Sequence, residues 1–194
     1  MITIYVVRHG ETEYNAQRRI QGQIDTPLTD EGYRNAFVMA GKLKGLKFDH
    51  IYSSDLGRAF ITAHVIAEKL ELVNRIVREK RLREKNYGEF NGKLLDEVID
   101  TPGFRGNPDF VPRGGESFKE LQKRVAGFLK ELEERHKDMA ALVVTHAGCI
   151  QAILGYFQKI EPSKCMSLKV SNEYIGKFII EKGKLAYYER VNGI

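Results

Sequence analysis

Apolar residues form nearly unbroken runs at positions 2–7 and 141–145. Runs of this length are typical of strands that are buried on both faces of a sheet. Shorter strands are predicted at 49–53 and 73–77. The hydrophobic pattern therefore begins with a strand and returns to strands along the chain.

The pattern changes to alternation between apolar and polar residues at 174–180 and 185–191. These two segments flank a turn at Lys182 and Gly183. Alternating segments joined by a short glycine-containing turn predict an antiparallel hairpin.

Between the strands, apolar residues recur every three or four positions, which is the spacing of a helix with one buried face. Thr29 is the predicted N-cap of the first such helix, which ends at Gly45, and Asp55 is the predicted N-cap of the second. The predicted buried faces are Tyr33, Ala36, Phe37, Ala40 and Leu43 on the first helix, and Ala59, Ala63, Ile66, Ala67 and Leu70 on the second.

Ser117 and Glu120 form a capping-box pair that predicts the start of a longer helix. A further helix is predicted at about 148–157, directly after the strand at 141–145. The predicted buried face of the longer helix is Phe118, Leu121, Val125, Phe128, Leu129 and Leu132.

Strands that alternate with helices indicate an α/β fold with three layers. We predict a mostly parallel central sheet, helices on both of its faces and a C-terminal antiparallel hairpin. Residues 1–194 are predicted to form a single domain. The segment at about 82–115 is rich in Gly, Pro, Asn and Asp, with at most a short helix near 94–99, and is interpreted as an insertion over the active site.

The composition of the 194 residues, 42% hydrophobic and 29% charged, is that of a globular protein. No stretch approaches the roughly 20 apolar residues of a membrane span, so we expect a cytoplasmic protein without a membrane partner. A net charge of +5 favours an anionic small molecule. The basic residues are scattered, so no nucleic-acid partner is predicted, and Cys149 and Cys165 are too few for a disulfide framework.

Polar residues follow three of the predicted strands at the end where each strand stops. Arg8 and His9 follow the first, Arg58 lies shortly after the second, and His146 follows the strand at 141–145. The carboxyl ends of parallel strands meet at one edge of a sheet, where ligands bind. Two histidines and two arginines at this edge predict a site for a dianion.

Arg58 falls in the first turn of its predicted helix. The backbone N–H groups and the dipole of a helix N-terminus favour an anion, and a guanidinium adds a bidentate donor. A phosphate group is therefore expected to bind there. A zinc site is the alternative for a histidine pair, but arginines repel a cation and no His-x-x-x-His, His-Glu-x-x-His or Cys-x-x-Cys motif occurs, so we predict no metal and no cofactor.

The chain resembles the histidine phosphatase superfamily, also called the phosphoglycerate-mutase-like family. The matching segments occur in the order of that family: Arg8-His9-Gly10-Glu11-Thr12 with Asn15, Pro27-Leu28-Thr29 with Gly32, Ser53-Ser54-Asp55-Leu56-Gly57-Arg58-Ala59, Leu82-Arg83-Glu84 with Tyr87-Gly88, Gly114-Gly115-Glu116-Ser117, and Val144-Thr145-His146-Ala147-Gly148. Each segment alone is weak, but the ordered set is specific.

The resemblance implies that His9 attacks phosphorus and is transiently phosphorylated. It implies that Arg8, Arg58 and a protonated His146 bind the phosphoryl oxygens, and that Glu84 protonates the leaving oxygen and later acts as a base toward water. Phosphoryl transfer depends on positioning and on stabilisation of negative charge, which these groups supply. The negative charge of a bound phosphate would favour the protonated form of Glu84.

Three further residues are assigned to substrate binding. Asn15 and Gln21 match lesser positions of the family's phosphate pocket, and Tyr87 belongs to the insertion that is expected to contact the substrate. The natural substrate stays open among sugar phosphates, phosphoserine, an α-ribazole phosphate and bisphosphorylated sugars.

Phosphatases and mutases of this family share their chemistry and differ in the acceptor of the phosphoryl group. The interval between Glu84 and His146 is shorter than expected for a mutase, Leu95 stands where the family's carboxylate-binding lysine falls, and Arg105 replaces a pair of arginines. We therefore predict a phosphomonoesterase. A phosphoglycerate mutase and a non-catalytic phosphate-binding regulatory module are the alternatives. The hairpin leaves an edge strand that a second copy of the chain would pair with in a homodimer.

Overall fold

The computed structural model describes residues 1–136 and 138–191, and six strands in these residues form one sheet. The strands are β1 (Ile2–Arg8), β2 (His50–Ser53), β3 (Ile76–Arg78), β4 (Met139–Thr145), β5 (Ile175–Glu181) and β6 (Lys184–Arg190). Their order across the sheet is β3-β2-β4-β1-β5-β6. The first four strands pair in parallel, whereas β5 pairs antiparallel with both β1 and β6.

The helices are α1 (Glu13–Ala16), α2 (Asp30–Leu43), α3 (Gly57–Lys69), α4 (Leu95–Val98), α5 (Phe118–Arg135), α6 (Ala147–Gln158) and α7 (Pro162–Cys165). Helices α5 and α6 cover one face of the sheet, and α2 and α3 cover the other. The three-layer α/β architecture, the mostly parallel sheet and the terminal hairpin are therefore confirmed. No helix of the described residues has the length and apolar character that crossing a membrane requires.

Strand β1 shows why its sequence is apolar without alternation. Ile4 and Val6 point into the core beneath α5 and α6, while Tyr5 and Val7 point into the core beneath α2 and α3. Because the strand lies between two cores, every position in this part of it is buried.

The predicted buried face of α2 is wrong at two positions. Tyr33 is 41% exposed and Phe37 is 49% exposed, while Gly32 and Met39 are buried together with Asn35. The helix has apolar residues on two adjacent faces. The face with Met39 and Ala40 packs in the same core as β1, and the face with the aromatic side chains is turned to solvent. A Cβ at Gly32 would overlap the carbonyl oxygen of Glu11, so the loop after β1 approaches α2 only because that position is glycine.

Asp55 does not cap α3, contrary to the prediction. The helix begins two residues later at Gly57, and the carboxylate of Asp55 binds Arg83 through two hydrogen bonds of 2.7 and 2.6 Å. The strand predicted at 73–77 is instead a 3₁₀ turn at Val73–Arg75 followed by β3. The capping box of Ser117 and Glu120 is confirmed at the start of α5.

The segment at 82–115 holds little regular structure, as predicted, apart from short turns and α4. Leu82, at its start, joins the core beneath α5 and α6, while several of its later apolar residues pack with Ile20 in a small separate cluster. The cluster centres on Ile20, Phe90 and Val98, and Tyr87, Leu95, Phe104 and Phe110 pack against it. The segment is therefore held together by this cluster, and Tyr87, Leu95 and Phe104 also line a cavity at the edge of the sheet.

Candidate active site

A cavity of about 550 Å³ lies at the carboxyl edge of the sheet, beneath the segment at 82–115. Seven of the eight residues that the sequence assigns to the site line it: Arg8, His9, Asn15, Gln21, Arg58, Glu84 and Tyr87. The eighth, His146, is fully buried, and its ring centroid lies 5.1 Å from that of His9. The structure therefore brings all of the predicted residues into one region.

His9 follows β1 and is held by a hydrogen bond of 2.7 Å between its Nδ1 and the carbonyl oxygen of Gly10. A carbonyl oxygen only accepts, so Nδ1 carries the proton and the lone pair lies on Nε2. Arg58 donates from Nε to that nitrogen across 3.3 Å. Burial lowers the pKa of His9 well below its ordinary value, and the charges of Arg58 and Arg8 lower it further. The neutral imidazole is therefore favoured, and Nε2 is available as a nucleophile.

Arg58 is buried, and carbonyl oxygens fix its guanidinium in place. Its Nη2 donates to Gly22 across 2.6 Å, and its Nη1 donates to Ile24 across 2.9 Å. The same Nη1 lies 3.2 Å from a carboxylate oxygen of Asp25. Burial lowers the pKa of Arg58, while the carboxylates of Glu84 and Asp25 oppose that shift.

The sequence predicts that the backbone N–H groups at the N-terminus of α3 bind a phosphate, but in the structure a carboxylate of the protein binds them. The backbone N–H of Gly57 donates to one carboxylate oxygen of Asp25 across 2.6 Å, and that of Arg58 approaches the other at 3.4 Å. Asp25 therefore occupies the anion position at this helix end, and the side chain of Arg58 alone extends into the cavity. No local pattern in the sequence identifies Asp25, because it lies 32 residues before the helix that it caps.

Arg8 ends β1 and donates from Nη1 to the carbonyl oxygen of Val170 across 2.6 Å. Its Nε is buried and has no hydrogen-bond partner in the described part of the chain. Burial lowers the pKa of Arg8 to about 10, so the group stays charged at neutral pH. Arg8 thus presents an unsatisfied donor and a positive charge beside His9.

His146 follows β4, and its Nε2 lies 2.8 Å from the hydroxyl oxygen of Ser54. Its Nδ1 is buried without a partner among the residues described. Burial holds the pKa of His146 well below its ordinary value, and Arg58, His9 and Arg8 add to that effect. Among the protein's own groups the neutral ring is therefore favoured, so the predicted imidazolium requires the negative charge of a bound dianion. Ser54 orients the ring.

The carboxylate of Glu84 accepts two backbone N–H groups. Oε1 accepts from Lys85 across 2.7 Å, and Oε2 accepts from Gly148 across 3.1 Å. Gly148 lies in the first turn of α6, two residues after His146. A Cβ at Gly148 would overlap Oε1 of Glu84, so glycine is required for this approach.

Arg124 holds the backbone beside Glu84, a role that the sequence analysis missed. Its Nη1 donates to the carbonyl oxygens of Arg81 and Arg83 across 2.8 and 2.6 Å, and its Nη2 donates to that of Glu84 across 2.9 Å. Glu116 fixes the other side of the guanidinium with hydrogen bonds of 3.1 and 2.6 Å. In the sequence Arg124 is one of several charged residues on a long helix, so nothing distinguishes it there.

The predicted lesser phosphate ligands are partly engaged with the protein. The side-chain oxygen of Asn15 accepts from the backbone of Thr12 and from Asn172, each across 3.3 Å. Gln21 accepts from the Thr12 hydroxyl across 3.0 Å and donates to Thr26 across 2.7 Å. These bonds hold the loop after β1 in place.

Asn172 also contacts the site, although no pattern in the sequence marks it. It donates to the carbonyl oxygen of His9 across 2.9 Å from the segment before β5.

Burial raises the pKa of Tyr87, so its phenol faces the cavity as a neutral hydroxyl. Within residues 1–136 and 138–191, no group of three or more His, Cys, Asp and Glu side chains is placed to hold a metal ion.

The carboxyl edge of this α/β sheet carries a neutral imidazole whose lone pair faces Arg58, a second arginine and a second histidine. This arrangement is suited to binding an anion beside a nucleophile. Comparison with known proteins agrees with this class. The model of the histidine phosphatase superfamily (branch 1) matches residues 4–192. The chain therefore belongs to the histidine phosphatase superfamily.

Curated relatives carry mutase names. Phosphoglycerate mutase-like protein 4 of Arabidopsis thaliana is 36% identical over 188 residues, which cover 93% of this chain and 80% of the relative. The probable phosphoglycerate mutase GpmB of Cronobacter sakazakii is 39% identical over 165 residues, covering 80% of this chain and 76% of the relative.

Similar solved structures include phosphatases. A mycobacterial glucosyl-3-phosphoglycerate phosphatase has a TM-score of 0.86 at 29% identity and covers 97% of both chains. A phosphoserine phosphatase of Entamoeba histolytica, solved with 3-phosphoglyceric acid, has a TM-score of 0.82 at 30% identity, covering 97% of this chain and 96% of its own. The superfamily relatives of this chain are thus both phosphatases and mutases.

Proposed function

We propose that the protein is a phosphomonoesterase that hydrolyses small phosphorylated metabolites through a phosphohistidine on His9 and needs no metal ion. The hydrogen bonds of the His9 ring carry the proposal: Nδ1 donates to Gly10, and Nε2 accepts from Arg58. The nucleophilic lone pair lies beside a cation suited to phosphoryl oxygens, which is the arrangement that attack on phosphorus requires.

In the first step, Nε2 of His9 forms a bond to phosphorus as the bond between phosphorus and the ester oxygen breaks. Arg8, Arg58 and His146, protonated together with the bound dianion, stabilise the charge on the equatorial oxygens. Glu84 in its protonated form gives its proton to the departing oxygen, which leaves as a neutral alcohol.

In the second step, water attacks the phosphorus of the phosphohistidine. Glu84, now a carboxylate, takes a proton from that water as the phosphorus–nitrogen bond breaks and its electron pair returns to Nε2. Inorganic phosphate leaves, and the enzyme is restored with Glu84 protonated. The same carboxyl group therefore acts first as an acid and then as a base.

A phosphoglycerate mutase is the second candidate, and the names of the curated relatives favour it. A mutase passes the phosphoryl group to a hydroxyl of the substrate and keeps water away. Leu95 and Phe104 line the roof of the cavity. Lys85 and Arg105 also line the cavity, but the position of the family's carboxylate-binding lysine holds Leu95, whose apolar side chain binds no carboxylate, and this supports hydrolysis.

Product analysis separates the candidates. The protein is incubated with phosphomonoesters, including 3-phosphoglycerate, and both inorganic phosphate and 2-phosphoglycerate are measured. Hydrolysis predicts release of phosphate from several esters with negligible interconversion of the phosphoglycerates. Efficient interconversion without release would establish a mutase, and neither product from any ester would leave the non-catalytic phosphate-binding module.

A further inference from the structure

Thr62 lies on α3, one turn after Arg58, and its side chain is fully buried. Its hydroxyl donates to the carbonyl oxygen of Arg58 across 2.8 Å, and the same hydroxyl oxygen accepts the backbone N–H of Gly10 across 3.0 Å. Because a hydroxyl has a single proton, the bond to Arg58 leaves its oxygen as an acceptor for Gly10. Thr62 therefore joins the helix that carries Arg58 to the loop that follows β1.

Gly10 depends on such contacts to keep its position in that loop. A Cβ at Gly10 would overlap the carbonyl oxygen of Gly32, so glycine is required there. Glycine has more conformational freedom than any other residue, and this one has no side chain to hold it. Thr62 holds its N–H, while Asn172 holds the carbonyl oxygen of His9 across 2.9 Å. The peptide group between His9 and Gly10 is thus held at both of its polar atoms.

The two hydrogen bonds of the His9 ring go to the two parts of the chain that Thr62 joins. Nδ1 donates to the carbonyl oxygen of Gly10 across 2.7 Å, and Nε2 accepts from Arg58 across 3.3 Å. If Gly10 turned away, Nδ1 would lose its acceptor, and the tautomer with the proton on Nε2 would become populated. That tautomer has no lone pair on Nε2 with which to attack phosphorus.

We propose that Thr62 is a positioning residue for the nucleophile: by holding Gly10, it keeps the proton of His9 on Nδ1 and the lone pair on Nε2. The inference rests on the proposed phosphatase function, because it concerns the same nucleophile. Thr62 acts through the backbone, since its own side chain is not part of the cavity lining.

Thr62 does not hold the phosphate-binding end of Arg58. The guanidinium is fixed by the carbonyl oxygens of Gly22 and Ile24 and by the carboxylate of Asp25, whereas Thr62 contacts only the backbone carbonyl. Loss of the Thr62 hydroxyl should therefore slow the attack on phosphorus and leave the affinity for a phosphate group almost unchanged.

Two variants separate the hydroxyl from the methyl group of Thr62. Thr62→Val keeps the shape of the side chain and removes the hydroxyl, so that a buried N–H loses its acceptor. We expect its kcat/KM for p-nitrophenyl phosphate to fall roughly 10- to 100-fold, the effect of one unsatisfied buried group. Thr62→Ser keeps the hydroxyl and should stay within about 3-fold of wild type. In calorimetric titration, inorganic phosphate should bind to both variants within about 3-fold of its wild-type affinity.

Nuclear magnetic resonance of protein with ¹⁵N-labelled histidine reads the tautomer directly and needs no turnover. In a neutral buffer without phosphate, wild type and Thr62→Ser should carry the proton of His9 on Nδ1, whereas Thr62→Val should show a population with the proton on Nε2. The His9 signals are those that His9→Asn removes. Thr3→Val is the matched control, because it makes the same change at a half-buried position near the other end of β1. It should match wild type in every measurement.

An unchanged His9 tautomer in Thr62→Val would overturn the inference, whatever its activity. A larger loss in Thr62→Ser than in Thr62→Val would also overturn it, because the effect would then come from packing of the methyl group. Equal falls in kcat/KM and in phosphate affinity would indicate a general disturbance of the site and count against it as well. If Thr62→Val does not fold, Thr62→Ala compared with Thr62→Ser isolates the hydroxyl in the same way. If wild type hydrolyses no ester, the phosphatase proposal fails, while the tautomer measurement still decides the role of Thr62.

Discussion

The backbone N–H of Gly148 donates to Oε2 of Glu84 across 3.1 Å, on a side of the glycine that leaves no room for a Cβ. The first turn of α6 therefore fixes the proposed acid, while His146, directly before that helix, lies beside the proposed nucleophile His9. One short segment after β4 thus couples the position of the acid to that of the phosphoryl site.

Replacing Gly148 with Ala should displace Glu84 from this position. We expect kcat/KM for an alkyl phosphate to fall by roughly 10²-fold, the lower range of general acid catalysis. The loss should be much smaller for p-nitrophenyl phosphate, because p-nitrophenolate leaves without a proton. Steady-state kinetics on the two ester types measures this difference.

Gly127→Ala is the control for this prediction, since a Cβ at Gly127 on α5 would meet no atom within 4 Å. That variant should match wild type on both esters. Equal losses on both ester types in Gly148→Ala would show that the phosphoryl site, rather than the acid, had been disturbed.

Arg124→Lys should release the backbone that carries Glu84. A lysine keeps the charge but cannot serve the three carbonyl oxygens and Glu116 at once. We expect a roughly 10-fold or greater fall in kcat/KM for alkyl phosphates, again with a smaller effect on p-nitrophenyl phosphate. Arg135→Lys changes an exposed ion pair on the same helix and should leave both rates unchanged. If Arg124→Lys lowered kcat/KM for alkyl phosphates and for p-nitrophenyl phosphate by the same factor, or lowered neither, the proposal that Arg124 positions Glu84 would be wrong.

Asp25→Ala should weaken the start of α3. The carboxylate caps the helix at Gly57, and loss of a cap costs about 1 kcal/mol of unfolding free energy. Asp25→Asn keeps an oxygen that accepts the same N–H, so urea denaturation should show a smaller loss for it. Identical losses in the two variants would assign the effect to charge rather than to capping.

Lower pH should destabilise the protein through the buried histidines His9 and His146. Burial and the neighbouring arginines lower the pKa of both His9 and His146 in the folded state, whereas the unfolded chain binds protons below pH about 6.5. Their contribution to stability is therefore complete above that pH. It is lost as the pH falls toward the lowered pKa values, by up to about 1.4 kcal/mol per pH unit for each histidine.

Urea denaturation between pH 7 and pH 5, in buffers without phosphate, measures this slope. The His9→Asn variant removes one of the two groups and should flatten the slope by the share of one histidine. If the unfolding free energy depended on pH equally steeply in wild type and in His9→Asn, the lowered pKa of His9 would not contribute to stability and the prediction would be wrong. Phosphate is left out because a bound dianion stabilises the folded state and favours the protonated form of His146.

The sequence predicts those parts of the site that depend on strand ends and ordered motifs. Arg8, His9 and His146 follow β1 and β4 directly, so the parallel topology alone brings them to one edge. Only the family resemblance predicts that Glu84 belongs to the site. The residues around it in the sequence are charged, which is typical of an exposed segment. Its backbone hydrogen bonds now show how that segment reaches the cavity.

The missed residues act across long separations in the chain. Asp25 caps a helix that starts 32 residues later, and Arg124 reaches carbonyl oxygens 40 to 43 positions away. No periodic pattern reports such contacts, since they depend on how loops and helices meet in three dimensions. The rotated face of α2 has a similar origin, because the close approach of Gly32 to Glu11 decides which stripe is buried.

Trapping the phosphohistidine tests the central claim most directly. In Glu84→Gln, p-nitrophenyl phosphate should still phosphorylate His9, because its leaving group needs no acid, while hydrolysis of the intermediate slows without the base. We predict a burst of one p-nitrophenolate per protein and, after an alkaline quench, one acid-labile phosphoryl group on the peptide that contains His9. The same adduct in the His9→Asn, Glu84→Gln double variant, or a burst in Glu84→Gln without any adduct on His9, would contradict the account.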